Sequence, residues 1–314
     1  MIGIPAGNDI SAVRELQPGG VILMGRNAGT PAETRRLTQQ IKDACEIPPL
    51  IAVDQEGGRV QRLVDGFSKI PSMREVGTKG ARAVSICAMS VAAELRDAGL
   101  NTNFAPVCDV PTHAQDTVIG ERAFSTDAIV AGLLAAEYIR GAGTTVLSCA
   151  KHFPGHGGVG VDSHQELPTF AGTIEELEEF HLPPFRAAIG AGVGAMMIGH
   201  IAVPCLDENG VPATLSAPIV TQLLREELNF RGLVITDDLE MKALPQNDDS
   251  VGARAIAAGC DLLLFCHAPD KARAALEEIK VRLDSGVLSQ ARVQDSLDRI
   301  EWAKKKFGVI AERK

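Results

Sequence analysis

Lys151, His152, His156, Asp162 and His164 fall within one glycine-rich stretch, KHFPGHGGVGVDSHQELP, which holds three of the seven histidines of the chain. Glycine at that density does not build a core, so the segment reads as a loop carrying reactive groups. Asp162 and His164 are two apart, and in an extended segment their side chains point the same way. A carboxylate beside an imidazole fixes its tautomer and steadies the protonated form, giving an acid/base group with a pKa close to the working pH. The plainer alternative is an Asx-turn next to a solvated histidine.

Three chemistries fit the residues around this loop. His152, His156, His164 and His200 with Asp237 could supply imidazole and carboxylate ligands to a metal ion. Against a metal, Lys151 would put a cation beside it, and no H-x-H or H-E-x-x-H spacing occurs. A serine or cysteine nucleophile is weaker, since there is no G-x-S-x-G and the cysteines sit mostly in apolar runs. The third chemistry is covalent: an aspartate at a strand end attacks, and a loop histidine hands a proton to the leaving oxygen.

These groups must be held by regular elements. Apolar runs recur at residues 2–5, 21–24, 50–53, 103–107, 145–150, 195–199, 233–236 and 262–266. They are nearly continuous rather than alternating, as expected of parallel strands buried on both faces. Helix-length segments lie between most of them. One opens at Thr173 with Glu176 at capping-box spacing, and another follows Ser216. A last one behind Ser289, its expected cap, carries Val293, Leu297, Ile300 and Phe307 on one stripe. Its Lys304, Lys305 and Lys306 read as a solvated last turn that suits the helix dipole.

Strand and helix alternating about eight times predicts a single (β/α)8 TIM-type barrel domain over residues 1–314. A doubly wound open sheet is the structural rival, but no G-x-G-x-x-G follows the first strand, which weakens its dinucleotide-binding form. Position then gives the polar residues meaning. Asp54, Asp109, Lys151, His152, His200, Asp237, Asp238 and His267 end or follow the third to eighth runs. In a parallel barrel those ends open on one face, where catalytic groups gather.

The 314 residues are 45% hydrophobic and carry a net charge of −9, with no basic stripe to suggest nucleic acid or an anionic membrane as partner. Seven scattered cysteines without a C-x-x-C pair favour a reducing compartment. No signal-peptide pattern opens the chain, and no uncharged apolar stretch reaches the roughly 18 residues of a membrane span. A soluble cytoplasmic protein is the expectation.

The loop, taken with VDQEGGRVQRL, NFAPVCDV, IGERAFS and PATLSAPIVTQLLREELNFRGLVITDDLEM, resembles the family 3 glycoside hydrolases, in particular their bacterial β-N-acetylhexosaminidase branch. The likeness runs in order from about residue 19 to 267. It implies a (β/α)8 barrel and retaining, exo-acting hydrolysis of terminal β-linked N-acetylglucosamine without cofactor or metal. Asp237, the first acid of TDD, would be the nucleophile and Asp238 a neighbour. Asp162 and His164 would form the acid/base pair, an imidazole in place of the usual second carboxylate.

Asp54, Arg62, Arg122, Lys151 and His152 would bind sugar hydroxyls; without the resemblance, Arg62 and Arg122 read as surface arginines. The implied substrates are peptidoglycan fragments in which N-acetylglucosamine is linked to 1,6-anhydro-N-acetylmuramic acid. Phosphate instead of water as acceptor, and a metal-dependent hydrolase on the same barrel, stay open as alternatives. His156 is expected to brace its turn, His113 and His181 to be solvated or satisfied locally, and Asp109 and His200 to pack or support. The chain starts almost at its first strand, so a short barrel floor on that side is expected. It ends one helix after the last strand, leaving the D-S-H loop to supply the acid/base group. A monomer is expected.

Overall fold

The structure, a computed structural model, describes residues 1–112, 118–159, 163, 166–245, 248 and 250–311. The eight apolar runs form eight parallel strands: β1 (Ile2–Gly3), β2 (Gly20–Leu23), β3 (Leu50–Val53), β4 (Thr102–Asn103), β5 (Leu147–Phe153), β6 (Ala195–Ile198), β7 (Leu233–Asp238) and β8 (Leu262–Leu264). They pair in chain order. Ile2 bridges Phe265 in parallel, and Gly3 N donates to Phe265 O at 2.7 Å, so the last strand returns to the first. A Cβ on Gly3 would lie 2.0 Å from the Cys266 carbonyl oxygen, so only glycine permits that closure. The sequence is a (β/α)8 barrel, and the open-sheet rival is set aside.

Side chains alternate across each strand. Ile22, Ala52, Cys149, Met197, Ile235 and Leu264 share the cluster that fills the barrel axis. Val21, Val53, Ala150, Ile198 and Val234 belong to the layer between strands and helices. That outer layer packs against α1 (Ser11–Leu16), α2 (Pro31–Asp43), α3 (Ala81–Asp97), α4 (Ala128–Ala142), α5 (Leu182–Gly190), α6 (Pro218–Glu227), α7 (Val251–Ala258) and α8 (Pro269–Asp284). A final helix, α9 (Gln290–Lys306), runs under the barrel, where Ala303 and Phe307 join Met1 in plugging the axis. Gly194, just before β6, leaves room for the Phe307 ring, which a Cβ there would meet at 2.7 Å.

Local expectations fare unevenly. Thr173 and Glu176 form the expected capping box, and Ser216 Oγ accepts from Ile219 N ahead of α6. The fourth run is cut to two residues because Pro106 offers no N–H to a ladder, although Val107 still bridges Lys151. Ser289 sits at the start of α9 without a side-chain cap, and Leu297 is 53% exposed, off the buried stripe. Lys304 is buried rather than solvated, because the same turn that seats Ala303 and Phe307 turns inward. Among the described residues no helix is long and apolar enough to cross a membrane.

Asp261, at the foot of β8, is buried and gathers three arginines: Arg225 at 2.5 Å, Arg292 at 2.8 Å and Arg299 at 3.1 Å. It also accepts from Val234 N, so one carboxylate ties β7, α6 and α9 together. Asp261→Ala leaves the buried Arg225 without its carboxylate and facing two half-buried arginines. It should lower unfolding stability by about 3–5 kcal/mol, read as a shift in the urea midpoint.

Candidate active site

The alternation that fills the axis continues past the ends of the strands. Asp54 is two residues beyond Ala52, Lys151 two beyond Cys149, and Asp237 two beyond Ile235, so all three project inward at the mouth. There they line a cleft of about 700 Å³ together with Glu56, Arg62, Arg122, His152, His156, Ser163 and Glu166, over a floor that includes Phe104, Met197 and Leu264. Asp238 is out of phase. Its Oδ1 accepts from Glu240 N and Cys266 N, and its Oδ2 lies 3.8 Å from His267 Nε2. Burial pushes Asp238 above the usual carboxylate range. Asp237 differs. Burial pushes it up as well, but His152, His200 and the Asp238 N–H (2.8 Å to Asp237 Oδ1) outweigh that and hold it below the usual range.

On the β3 side the cations are paired. Lys151 Nζ is 2.7 Å from Asp54 Oδ1 and 2.6 Å from Glu56 Oε1. Arg122 grips both oxygens of Glu56, from Nε at 2.8 Å and from the second nitrogen of its fork at 2.9 Å. Arg62 Nε is 3.8 Å from Asp54 Oδ2 and, among the described residues, has no hydrogen-bond partner. Arg62 and Arg122, which resemble surface arginines in the sequence, therefore both face the cleft.

Behind β5 a second buried carboxylate organises the histidines. Asp109 accepts from the backbone N–H groups of His152 and His156, and its Oδ2 is 2.7 Å from His152 Nδ1. Burial raises its pKa, and His152 and His156 more than reverse that. His152 thus presents its other ring nitrogen away from Asp109. His156 is 2% exposed and meets the Ser163 hydroxyl through Nε2 at 3.1 Å, while Ser163 O accepts from Ala243 N in the loop after β7.

His200 is buried, with Nδ1 2.6 Å from Thr214 Oγ1 and Nε2 2.9 Å from Asp238 O, a supporting place behind the mouth. His181 is buried edge-on to Phe170, not solvated, because Gly155 and Gly158 leave room for its ring. Asp162, His164 and His113 lie outside the described residues. Among the described residues no group of three or more His, Cys, Asp or Glu side chains is arranged to hold a metal ion.

Residues 5–302 match the model of the family described as Glycosyl hydrolase family 3 N terminal domain. The chain belongs to glycosyl hydrolase family 3. It is similar to the β-hexosaminidase of Nitrosomonas eutropha, 39% identical over 265 residues that cover 81% of this chain and 75% of that one. Its likeness to the β-hexosaminidase of Pseudomonas aeruginosa is 38% over 281 residues, 87% and 83% of the two chains. The solved family 3 β-N-acetylglucosaminidase of Paenibacillus sp. str. FPU-7 superposes on all of this chain with a TM-score of 0.95 at 35% identity. The present chain spans 62% of the length of that protein. These likenesses place it among the family's glycosidases of β-hexosaminidase type.

One buried carboxylate of this family 3 site, Glu56, escaped the residue-level reading of the sequence. Glu56 lies on a short antiparallel hairpin, Gln55–Gly57 with Val60–Gln61, that no apolar pattern announces. Asp109 was on the right face but its partners were not legible, since they are two backbone N–H groups and a ring forty-odd residues away. Because Asp109 is lowered in the folded state, its stabilisation is complete above the unfolded carboxylate value and is lost as pH falls through the folded one. Wild type and Asp109→Asn should therefore differ in urea midpoint at pH 7 and converge as pH drops below about 4.

Proposed function

We propose that this chain is a single catalytic barrel that removes terminal β-linked N-acetylglucosamine by a retaining, two-step displacement. Its substrates would be cytoplasmic peptidoglycan fragments in which that sugar is joined to 1,6-anhydro-N-acetylmuramic acid. The observation that carries the reading is Asp237: an inward carboxylate at the mouth of β7, held ionised, in a cleft whose other polar groups suit a polyhydroxylated ligand. Sugar hydroxyls both give and take hydrogen bonds, and Asp54, Arg62, Arg122, Lys151 and His152 offer both kinds of partner.

In the first step an Asp237 oxygen bonds to the anomeric carbon while the bond to the aglycone oxygen breaks. Protonated His164, steadied by Asp162, gives its proton to that oxygen. In the second, neutral His164 takes a proton from water as the water oxygen displaces Asp237 from the same carbon. Lys151 and His152 hold the ring from the β5 side throughout. The histidine is the feature that sets this scheme apart from two-carboxylate glycosidases, and its charge cycle runs from +1 to neutral rather than neutral to −1.

Asp237→Ala should lower turnover of a chromogenic β-N-acetylglucosaminide by on the order of 10⁴-fold or more. A 2-fluoro or 5-fluoro glycosyl reagent should label one peptide, at Asp237; label elsewhere, or none, overturns the reading. His164→Ala should cost about 10²–10⁴-fold with a poor leaving group and far less with an activated aryl glycoside. Equal losses with both would remove His164 from the acid role. Full activity after dialysis against EDTA, with no metal detected in the protein, separates this mechanism from a metal-dependent one. Product analysis with and without added phosphate separates water from phosphate as acceptor.

A further inference from the structure

Glu56 is 2% exposed, and neither sugar contact nor proton transfer has been assigned to it. Its backbone is mounted rigidly. The Asn103 side chain of β4 accepts from Gln55 N at 3.0 Å and donates to Gln55 O at 3.1 Å, and Asn103 is itself bonded to Tyr138. The Gln55 amide in turn accepts from Arg62 N and Leu63 N, fixing the returning strand. Two glycines at positive φ, Gly57 and Gly58, make the turn between. The carboxylate is thus placed before any cation arrives.

Counting donors shows what the placement does. An ammonium has three N–H donors and a guanidinium five. Lys151 directs two of its three at Asp54 Oδ1 and Glu56 Oε1, so the heading of its last N–H is set by tetrahedral geometry. Arg122 directs two at Glu56 and one at the Val118 carbonyl, which orients the plane of the guanidinium and the two N–H groups that remain. Without Glu56, Lys151 would swing about Asp54 alone, and Arg122 would keep one backbone contact. A fold needing only to fill this space would be as well served by an apolar side chain, because burying ions is costly. Burial indeed raises the Glu56 pKa, and only Lys151 and Arg122 together bring it far below the usual carboxylate range.

We infer that Glu56 is a positioning residue for the sugar site, aiming the remaining donors of Lys151 and Arg122 at ligand oxygens from a hairpin clamped to Asn103. The inference rests on the reading of the cleft as a sugar site, and it concerns ligand affinity rather than the covalent step. It also ranks the cleft residues: Asp54 is tied to Glu56 through Lys151, whereas Arg62, 3.8 Å from Asp54 and in contact with neither Lys151 nor Glu56, should depend on Glu56 least.

The test compares Glu56→Gln with wild type on 4-nitrophenyl N-acetyl-β-D-glucosaminide. Gln keeps the shape but turns an N–H group toward one cation. kcat/KM should fall about 30-fold or more, chiefly through KM, with free N-acetylglucosamine binding weakened to match by calorimetry. In a Lys151→Met background the same substitution should cost only about five-fold, because one of its two objects is gone and Arg122 alone is left to misdirect. Wild-type kcat/KM in Glu56→Gln, or an equal cost in both backgrounds alongside a lowered Tm, overturns the inference and leaves Glu56 a structural ion. If Glu56→Gln is insoluble, Glu56→Asp, whose carboxylate is a methylene too short to reach both cations, is read the same way. Fluoroglycosyl labelling of Asp237 in the Glu56 variants distinguishes failure here from failure of the glycosidase reading. Labelling that persists while affinity is unchanged sinks only the role of Glu56.

Discussion

A strand in a closed barrel can turn only every second residue toward the axis, and the functional end of this protein follows from that parity. Ala52 and Asp54, Cys149 and Lys151, and Ile235 and Asp237 are successive occupants of one inward series, apolar below and ionisable above. The transition from core to site needs no special architecture. It requires only that the same strands continue a residue or two beyond the layer in which hydrophobic packing can be completed. Asp237 and Asp238 both line the cleft, but only Asp237 continues the inward series; Asp238 has its Oδ1 taken up by two backbone N–H groups.

Charges brought together in this way must be balanced, and each side of the mouth does so with its own buried acid. Glu56 and Asp54 hold Lys151, with Arg122 closing on Glu56, while Asp109 holds His152 and the backbone of His156. Paired ions in a dry setting keep fixed directions, whereas the same groups in water would rotate freely. Donors and acceptors around the cleft are thus preorganised before any ligand binds, at a cost in desolvation that the pairing offsets. Asp261 and its three arginines apply the same rule at the opposite end, for mechanical rather than chemical purposes.

How much of this was legible in the sequence depended on range. All eight strands could be read, because continuous apolar runs between turn residues are a local signal. Asp54, Lys151 and Asp237 could be placed on one face, because a strand end is a local position. Arg62 and Arg122 could not be separated from surface arginines without the family likeness, since nothing near them in the chain marks the cleft they enter. Glu56 was hidden by a three-residue strand with no hydrophobic alternation, and His181 by a cavity made by glycines more than twenty residues earlier. Leu297 and Lys304 exchanged their expected environments because the turn of α9 beneath the barrel, not periodicity, decides which side of that helix is covered.

The plug formed by Met1, Ala303 and Phe307 gives the barrel a bottom. Whatever enters at the mouth meets Phe104, Met197 and Leu264 and can go no deeper, so the pocket is a cup rather than a tunnel. Were the ligand a polymer, a cup would admit its tip and not its middle. The detached piece and the remainder must also depart by the route they came, one behind the other. The closed end of that vessel belongs to the packing below it, which α9 completes from the far side without facing the cleft.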